Sequence, residues 1–322
     1  MEFPRAALNV QRGLALAMLT AVLGAAAAER ASPFAARLRA AEPWPFWLEV
    51  REPGSAAAPG FHLGVYHPLR RVLVLIRVPG TARLRGKVTA DGAYRDALRA
   101  SGDAPSASRA VEDLAQIRFT ELSLEPIRWD GAGRLRLELE TFEEPDEPAA
   151  AAAAALKARG RSPRALWRLV RAAAAGFLAG DRSAGDALLL TLELRRVPFD
   201  RLQPALLPDD AASSAFLARA FAPQVEPRGG DKAIVAEVLN GTTSPGLAAQ
   251  AAKVLRLNGV DVMALGKAQP RSQTTVYDRI GEFESAARVR AALGCPTAIA
   301  ATRIDALRGV DVSVELGDDC SD

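Results

Sequence analysis

The sequence predicts an α/β (α+β) protein with a mixed-sheet front domain, a small βαββαβ C-terminal domain and a hydrophobic helix at the N-terminus. Three observations carry that expectation. Strand-like runs interleave with helical periodicity from Trp44 to Phe142. A Pro-Gly stretch, Ala222 to Lys232 (APQVEPRGGDK), separates the last ninety residues from the rest. An uncharged run near the start, Gly13 to Ala28, is followed at once by Glu29 and Arg30. The expected division is therefore a leader or anchor at 1–30, a front domain at 44–221, a linker at 222–232 and a C-terminal domain at 233–322.

In the front domain, Phe46 to Val50, Arg71 to Val78 (RVLVLIRV), Leu122 to Ile127 and Leu135 to Phe142 read as strands. Gly92 to Ala100 and Ala107 to Gln116 carry apolar residues at helical spacing, with Ser106 or Ser108 as a cap for the second. Glu143 to Arg161 passes from acids and prolines into an alanine-rich helix, and Arg164 to Ala179 reads as an amphipathic helix. Ala187 to Arg195 (ALLLTLELR) reads as a buried strand, and Ala211 to Phe221 as a short helix.

The C-terminal order is more regular. Ile234 to Leu239 alternates as a strand, Asn240-Gly241 turns the chain, and Thr242, Thr243 and Ser244 are candidate caps. Gly246 to Asn258 is a helix with a stripe of Leu247, Ala251, Val254, Leu255 and Leu257, ended by Gly259. Val260 to Leu265 and Thr274 to Asp278 are strands, Glu282 to Leu293 a helix stopped by Gly294, and Val310 to Leu316 a closing strand. Two strand-helix-strand units in succession give the split βαβ arrangement, with both helices on one face.

Composition narrows the functional classes. Apolar residues at 49% and charged residues at 25% are ordinary for a globular chain and exclude a multi-span membrane protein. Forty-one Lys and Arg against 38 Asp and Glu leave +3, and the last 92 residues carry 10 bases against 12 acids, so nucleic acid is not the expected partner. Two His and two Cys are too few for a zinc site built from these side chains alone. His62 and His67 are expected as isolated surface or turn residues. Gly-x-Ser-x-Gly, a P-loop and a Rossmann fingerprint are absent from the sequence.

The leader sets the compartment. Arg5 and Arg12 precede sixteen uncharged residues, and Ala26-Ala27-Ala28 offers a cleavage site. An uncleaved anchor is the alternative. Either way the remainder is expected outside the cytoplasm, on the outer face of the membrane or in the periplasm. There a disulfide persists. If Thr297 to Ala301 pairs antiparallel with Val310 to Leu316, Cys295 and Cys320 come together across the hairpin base, and a bond between them is expected.

The runs VLNGT at 238–242, GLA at 246–248, NGVDV at 258–262, TTVYDR at 274–279 and VDVSVELGDD at 310–319 together resemble the LytR C-terminal domain. That resemblance implies an exported envelope protein of bacteria, usually anchored, acting in cell-wall attachment or binding. Asn240 and Gly241 are read first as turn residues. With Thr242 and the helix N-terminus they also form a candidate site for an anion or sugar. Tyr277, Asp278 and Arg279 bring an aromatic face, an acceptor and a donor, which suits a saccharide and equally a buried tyrosine beside a surface ion pair.

The segment Gly60 to Pro79 (GFHLGVYHPLRRVLVLIRVP), followed by Gly80-Thr81, Lys87 and Ala93-Tyr94, resembles the central hairpin of the LytR-CpsA-Psr catalytic domain. The resemblance implies a Mg²⁺-dependent phosphotransferase that moves a glycopolymer from a polyprenyl pyrophosphate to peptidoglycan. The family's Arg and Asp after the proline are replaced here by Gly80 and Thr81. Arg77, Arg83, Arg85, Lys87 and Asp91 are the residues able to take over phosphate and cation contacts. The expected function is therefore binding of a cell-wall glycan or an envelope partner without catalysis and without a cofactor. An active Mg²⁺-dependent enzyme and an envelope-related transcriptional attenuator are the alternatives.

Overall fold

The structure is a computed structural model that describes Arg30 and residues 32–51, 58–123, 134–138, 147–179, 183–208, 210–222 and 233–320. The leader, the linker from 223, the end of the Leu135 to Phe142 run and the acidic opening of Glu143 to Arg161 lie outside the described residues.

The front unit is a three-layer sandwich. Its sheet has β1 (Trp44–Arg51), β2 (Gly60–His67) and β3 (Val72–Val78) as an antiparallel meander. Strand β6 (Arg134–Glu138) runs parallel to β1, and β7 (Leu202–Leu206) parallel to β3. A small hairpin, β4 (Arg83–Arg85) with β5 (Val88–Thr89), projects beyond β3. Both faces of the meander are covered, which is why its strands read as apolar runs rather than alternating ones. On one face lie α2 (Ala90–Ser101), α3 (Ala104–Ser123) and α7 (Asp210–Phe221), closing over Leu63, Ile76, Val111, Phe119 and Leu217. On the other lie α1 (Pro33–Arg39), α4 (Pro148–Arg161) and α6 (Ser183–Arg195), closing over Phe34, Leu48, Leu75, Leu156 and Leu190. The amphipathic helix α5 (Pro163–Ala179) packs outside α6. Gly64 is required between layers, since a Cβ there would meet the Phe46 ring at 2.1 Å.

Several sequence expectations are corrected here. Ala187 to Arg195 is helix α6, not a strand. Leu122 belongs to the last turn of α3, and 124–127 lie outside the described residues. Neither Ser106 nor Ser108 caps α3. The Asp103 carboxylate accepts from the Ser106 N–H at 2.8 Å, and Ser108 is buried, its hydroxyl donating to Glu49 at 3.0 Å. The strand that fills the seat beside β3 is Leu202–Leu206, for which the sequence offered no strand expectation.

His62 and His67 are buried strand residues rather than surface ones, and they point to opposite faces of β2. His67 Nε2 meets the Ala220 carbonyl at 2.8 Å. Neither ring nitrogen of His62 has a hydrogen-bond partner of good geometry among the described residues. Burial, then the Arg77 charge, lowers its pKa from 6.5 to about 3, with the Gly60 and Leu48 backbone offsetting part of the shift. Between those two values the unfolded chain binds a proton that the folded chain refuses, so this residue makes stability fall as pH falls. His62→Phe is expected to remove that dependence, gaining about 2 kcal/mol on the wild type between pH 7 and pH 5. Urea midpoints at the two pH values check this, and parallel shifts in both proteins would refute it.

The C-terminal unit has five strands, β8 (Ile234–Asn240), β9 (Val260–Lys267), β10 (Thr275–Asp278), β11 (Ile299–Thr302) and β12 (Val312–Leu316), ordered β11-β10-β12-β8-β9. Helices α8 (Leu247–Leu257) and α9 (Phe283–Leu293) cover one face over Val238, Ala252, Leu255, Val276, Val289 and Val314. The βαββαβ order is present with a fifth strand added, and the strands of each βαβ pair are neighbours rather than split. Gly259 and Gly294 end the two helices with φ of 79° and 74°, the left-handed conformation expected of them. The buried stripe of α8 is Ala248, Ala251, Ala252 and Leu255, and Val254 and Leu257 are exposed. No Thr or Ser side chain caps α8, whose N-cap is Gly246. Strand β11 reaches β7 through the pair Thr302↔Ala205, so the two units share one ten-stranded sheet.

Candidate functional site

Strands β3 and β7 run parallel and end together at Val78 and Leu206, with the Leu207 N–H donating to the Arg77 carbonyl at 2.9 Å. Ligands of α/β sheets gather beyond such carboxyl ends. Here Pro79 turns the chain into the β4–β5 hairpin, and the last turns of α3 face it across a cleft of about 470 Å³. The floor is apolar: Leu84, Phe119 and Leu207 are buried. At the rim stand Arg83 and Arg118 with Thr81, while Ser213, also in the lining, is buried with its hydroxyl donating to the Pro208 carbonyl at 2.7 Å. The Arg118 side chain is 27% exposed and faces Glu121 at 3.8 Å. Two guanidiniums above an apolar floor suit a phosphate or other anionic head joined to an apolar or sugar body.

Of the front-domain residues singled out from sequence, Arg83 alone lines this cleft. Arg85 and Lys87 are exposed at the hairpin tip. Arg77 lies on the opposite sheet face, opposite His62 in the β2–β3 register. Asp91 begins α2 with its N–H on the Gly80 carbonyl at 2.9 Å, and its carboxylate packs against Gly80. No described residue lining the cleft is a carboxylate. A protein-held magnesium ion needs carboxylate oxygens, so the described lining does not fit the Mg²⁺ centre that the catalytic resemblance implies. Arg118 was not anticipated, because only folding brings α3 beside the turn after β3.

In the C-terminal unit, Asn240 is spent on its own turn. Its Oδ1 accepts from the Thr242 N–H and hydroxyl at 2.9 and 2.8 Å, and its Nδ2 donates to the Ser244 carbonyl at 2.8 Å. Gly241 has no positive φ. It is needed because a Cβ would come within 2.7 Å of the Leu316 carbonyl. The polar face of the sheet, opposite α8 and α9, carries a buried network. Tyr277 is 1% exposed, lies between the Arg271 and Arg279 guanidiniums at 5.8 and 4.8 Å, and hydrogen-bonds Glu147 at the start of α4. Burial, followed by the Glu147 charge, raises its pKa. Arg279 is buried rather than on the surface: its Nε donates to Ser313 at 2.8 Å, and Glu315 faces it and Arg271 at 3.4 and 3.0 Å. Asp278 Oδ1 accepts the N–H groups of Ile280, Gly281 and Glu282, fixing the entry to α9. Burial raises the Asp278 pKa despite those bonds. Tyr277, Asp278 and Arg279 therefore sit inside the molecule, and Tyr277 links the two units through Glu147.

Cys295 and Cys320 are bonded, with Cα atoms 5.8 Å apart. The topology that joins them differs from the expected hairpin: β11 pairs parallel with β10, and β12 lies on β10's other side. With both sulfurs so engaged, their proximity to Asp319 offers no thiolate to a metal.

A five-stranded sheet with two helices on one face and a buried polar network on the other defines the tail as a small α/β module stapled at its end. Residues 233–319 match the family model described as LytR cell envelope-related transcriptional attenuator. The chain thus carries a LytR C-terminal domain and is a cell-envelope-related protein, while the front unit lies outside the matched residues. No curated protein and no solved structure is matched. No helix among the described residues is long and apolar enough to cross a membrane. The run at 13–28 is outside those residues.

Proposed function

We propose that this chain is an exported envelope protein, tethered at the outer face of the membrane by its N-terminal segment, that binds an anionic envelope glycan or a lipid-linked phosphate without turning it over. The observation that supports this reading is the cleft beyond β3 and β7, where Arg83 and Arg118 stand over an apolar floor that no carboxylate lines among the described residues. Guanidinium forks hold phosphate oxygens without metal, and the apolar floor accepts the sugar face or lipid stem. Chemistry on a pyrophosphate would further require groups that neutralise charge developing in the transition state, such as a bridged cation. Among the described residues of the cleft there is no carboxylate to hold one.

The test uses the full chain on isolated cell wall, before and after removal of phosphate-bearing polymers. Wild type is expected to be retained on the untreated wall, and Arg83→Gln with Arg118→Gln to weaken retention on the order of a hundredfold. Equal retention of the double variant would overturn the assignment of the cleft. Mg²⁺-dependent phosphate release from a polyprenyl pyrophosphate analogue would overturn the non-catalytic half.

A further inference from the structure

Helix α5 is packed unlike the other described helices. Residues 163–175 include no buried side chain, and none of them belongs to the two hydrophobic clusters of the front unit. It contacts α6 and, less extensively, α4, and its Ala165, Leu166, Leu169 and Ala173 are half-buried. Its outer face carries Arg164, Arg168 and Arg171 around Trp167, which is 63% exposed, and Val170, which is 43% exposed. Between Pro163 and Ala179 there is no Asp or Glu.

A solvated outer helix ordinarily mixes both signs of charge, since i,i+4 pairs of opposite sign stabilise it. Three cations flanking an exposed tryptophan, with no acid on the helix, instead complement an anionic surface that has an apolar layer beneath it. A single exposed Trp means little alone. Ringed by arginines at i−3, i+1 and i+4, it matches the composition of helices that lie in a bilayer interface.

The placement of α5 agrees. Helix α1, the first described helix after the apolar run at 13–28, packs on α6, and so does α5. Helix α6 ends in a basic, exposed stretch. There Arg195 and Arg196 are exposed, as is Phe199. A shallow cavity of about 550 Å³ adjoins α1 and is bordered by Arg39, Leu69, Arg71 and Arg201. Of the acids nearby, Glu193 is paired with Arg196 at 2.7 Å, and Asp200 faces Lys157.

We infer that α5 lies flat on an anionic lipid bilayer, with its arginines at the lipid phosphates and Trp167 and Val170 in the boundary between headgroups and acyl chains. The inference rests on the proposed membrane tether and adds a second, peripheral contact that orients the front unit. Three arginines near an anionic leaflet strengthen the contact in proportion to the lipid's charge.

The full chain is reconstituted with vesicles of phosphatidylcholine carrying acyl-chain bromines, with or without phosphatidylglycerol. Flotation reports the tether. Quenching of tryptophan emission, compared between wild type and Trp167→Phe, reports the face. The wild type is expected to float and to show quenching in excess of Trp167→Phe when phosphatidylglycerol is present. That excess should be lost in Arg164→Gln/Arg168→Gln/Arg171→Gln, whose unchanged thermal unfolding shows that the fold is intact. Flotation with equal quenching of wild type and Trp167→Phe would overturn the inference while leaving the tether standing, and would point to a wall polymer or a second copy on this face. Failure of the chain to float at all would overturn both.

Discussion

Arg279→Met is expected to destabilise the C-terminal unit by about 3 kcal/mol, seen as a lower urea midpoint with an unchanged slope. The Arg279 side chain is 3% exposed and is held by Ser313, the Arg303 carbonyl and Glu315 while stacking on Tyr277. Removing it leaves Glu315 facing Arg271 alone at 3.0 Å, and strips a cation from above the Tyr277 ring. Two effects decide the size. Breaking a buried pair costs about 3 to 5 kcal/mol, but the retained Arg271 contact and relief of repulsion from Arg303 and Arg308 place the loss at the lower end. A companion change, Glu315→Gln, leaves two cations facing each other and should be at least as damaging. Losses below about 1 kcal/mol for both would mean that water screens the network as it does a surface pair.

Opening the Cys295–Cys320 bond is the second large effect expected. The bond closes a loop across a sequence separation of 25 residues, for which the loss of unfolded-state entropy amounts to about 3 kcal/mol. In the folded chain it anchors the segment where the Asp319 carboxylate accepts from the Thr274 N–H at 2.7 Å and the Gly317 N–H donates to the Thr274 hydroxyl at 2.9 Å. Thermal unfolding of the wild type with and without reductant, beside the Cys295→Ser/Cys320→Ser pair, measures it. The reduced wild type and the double variant should coincide well below the oxidised protein. An oxidised protein that melts with them would show that the bond adds no constraint.

The tail was legible in its sequence because its determinants are local. Gly259 and Gly294 stop helices where a left-handed residue is needed, and β8 alternates because one of its faces is apolar and the other carries Glu237. Its sheet order was not legible, since the pairing of β12 between β8 and β10 is set by packing over long sequence distances. The front unit shows where periodicity fails. ALLLTLELR has no polar face because α6 is packed between the sheet on one side and α5 on the other, and such a run cannot be told from a buried strand. LQPAL carries Pro204, which gives no strand signal in the sequence, yet β7 meets β11 through one pair only, so on that side it is nearly an edge, where a missing N–H is tolerated. Arg83 was legible as part of a basic hairpin. Its partner Arg118 was not, because helix α3 alone gives no sign of which turn faces a cleft. Tyr277, Asp278 and Arg279 carried the chemistry of a sugar site, but all three are buried, Tyr277 against Glu147 of the front unit and the other two against the tail itself.

The account depends most on which side of the membrane the folded chain occupies. Intact cells expressing the full chain are treated with a membrane-impermeant thiol reagent, with and without prior reduction by an impermeant reductant. The account predicts that Cys295 and Cys320 react in intact cells only after reduction. Labelling that appears only once the cells are lysed would place the tail in the cytoplasm and contradict it.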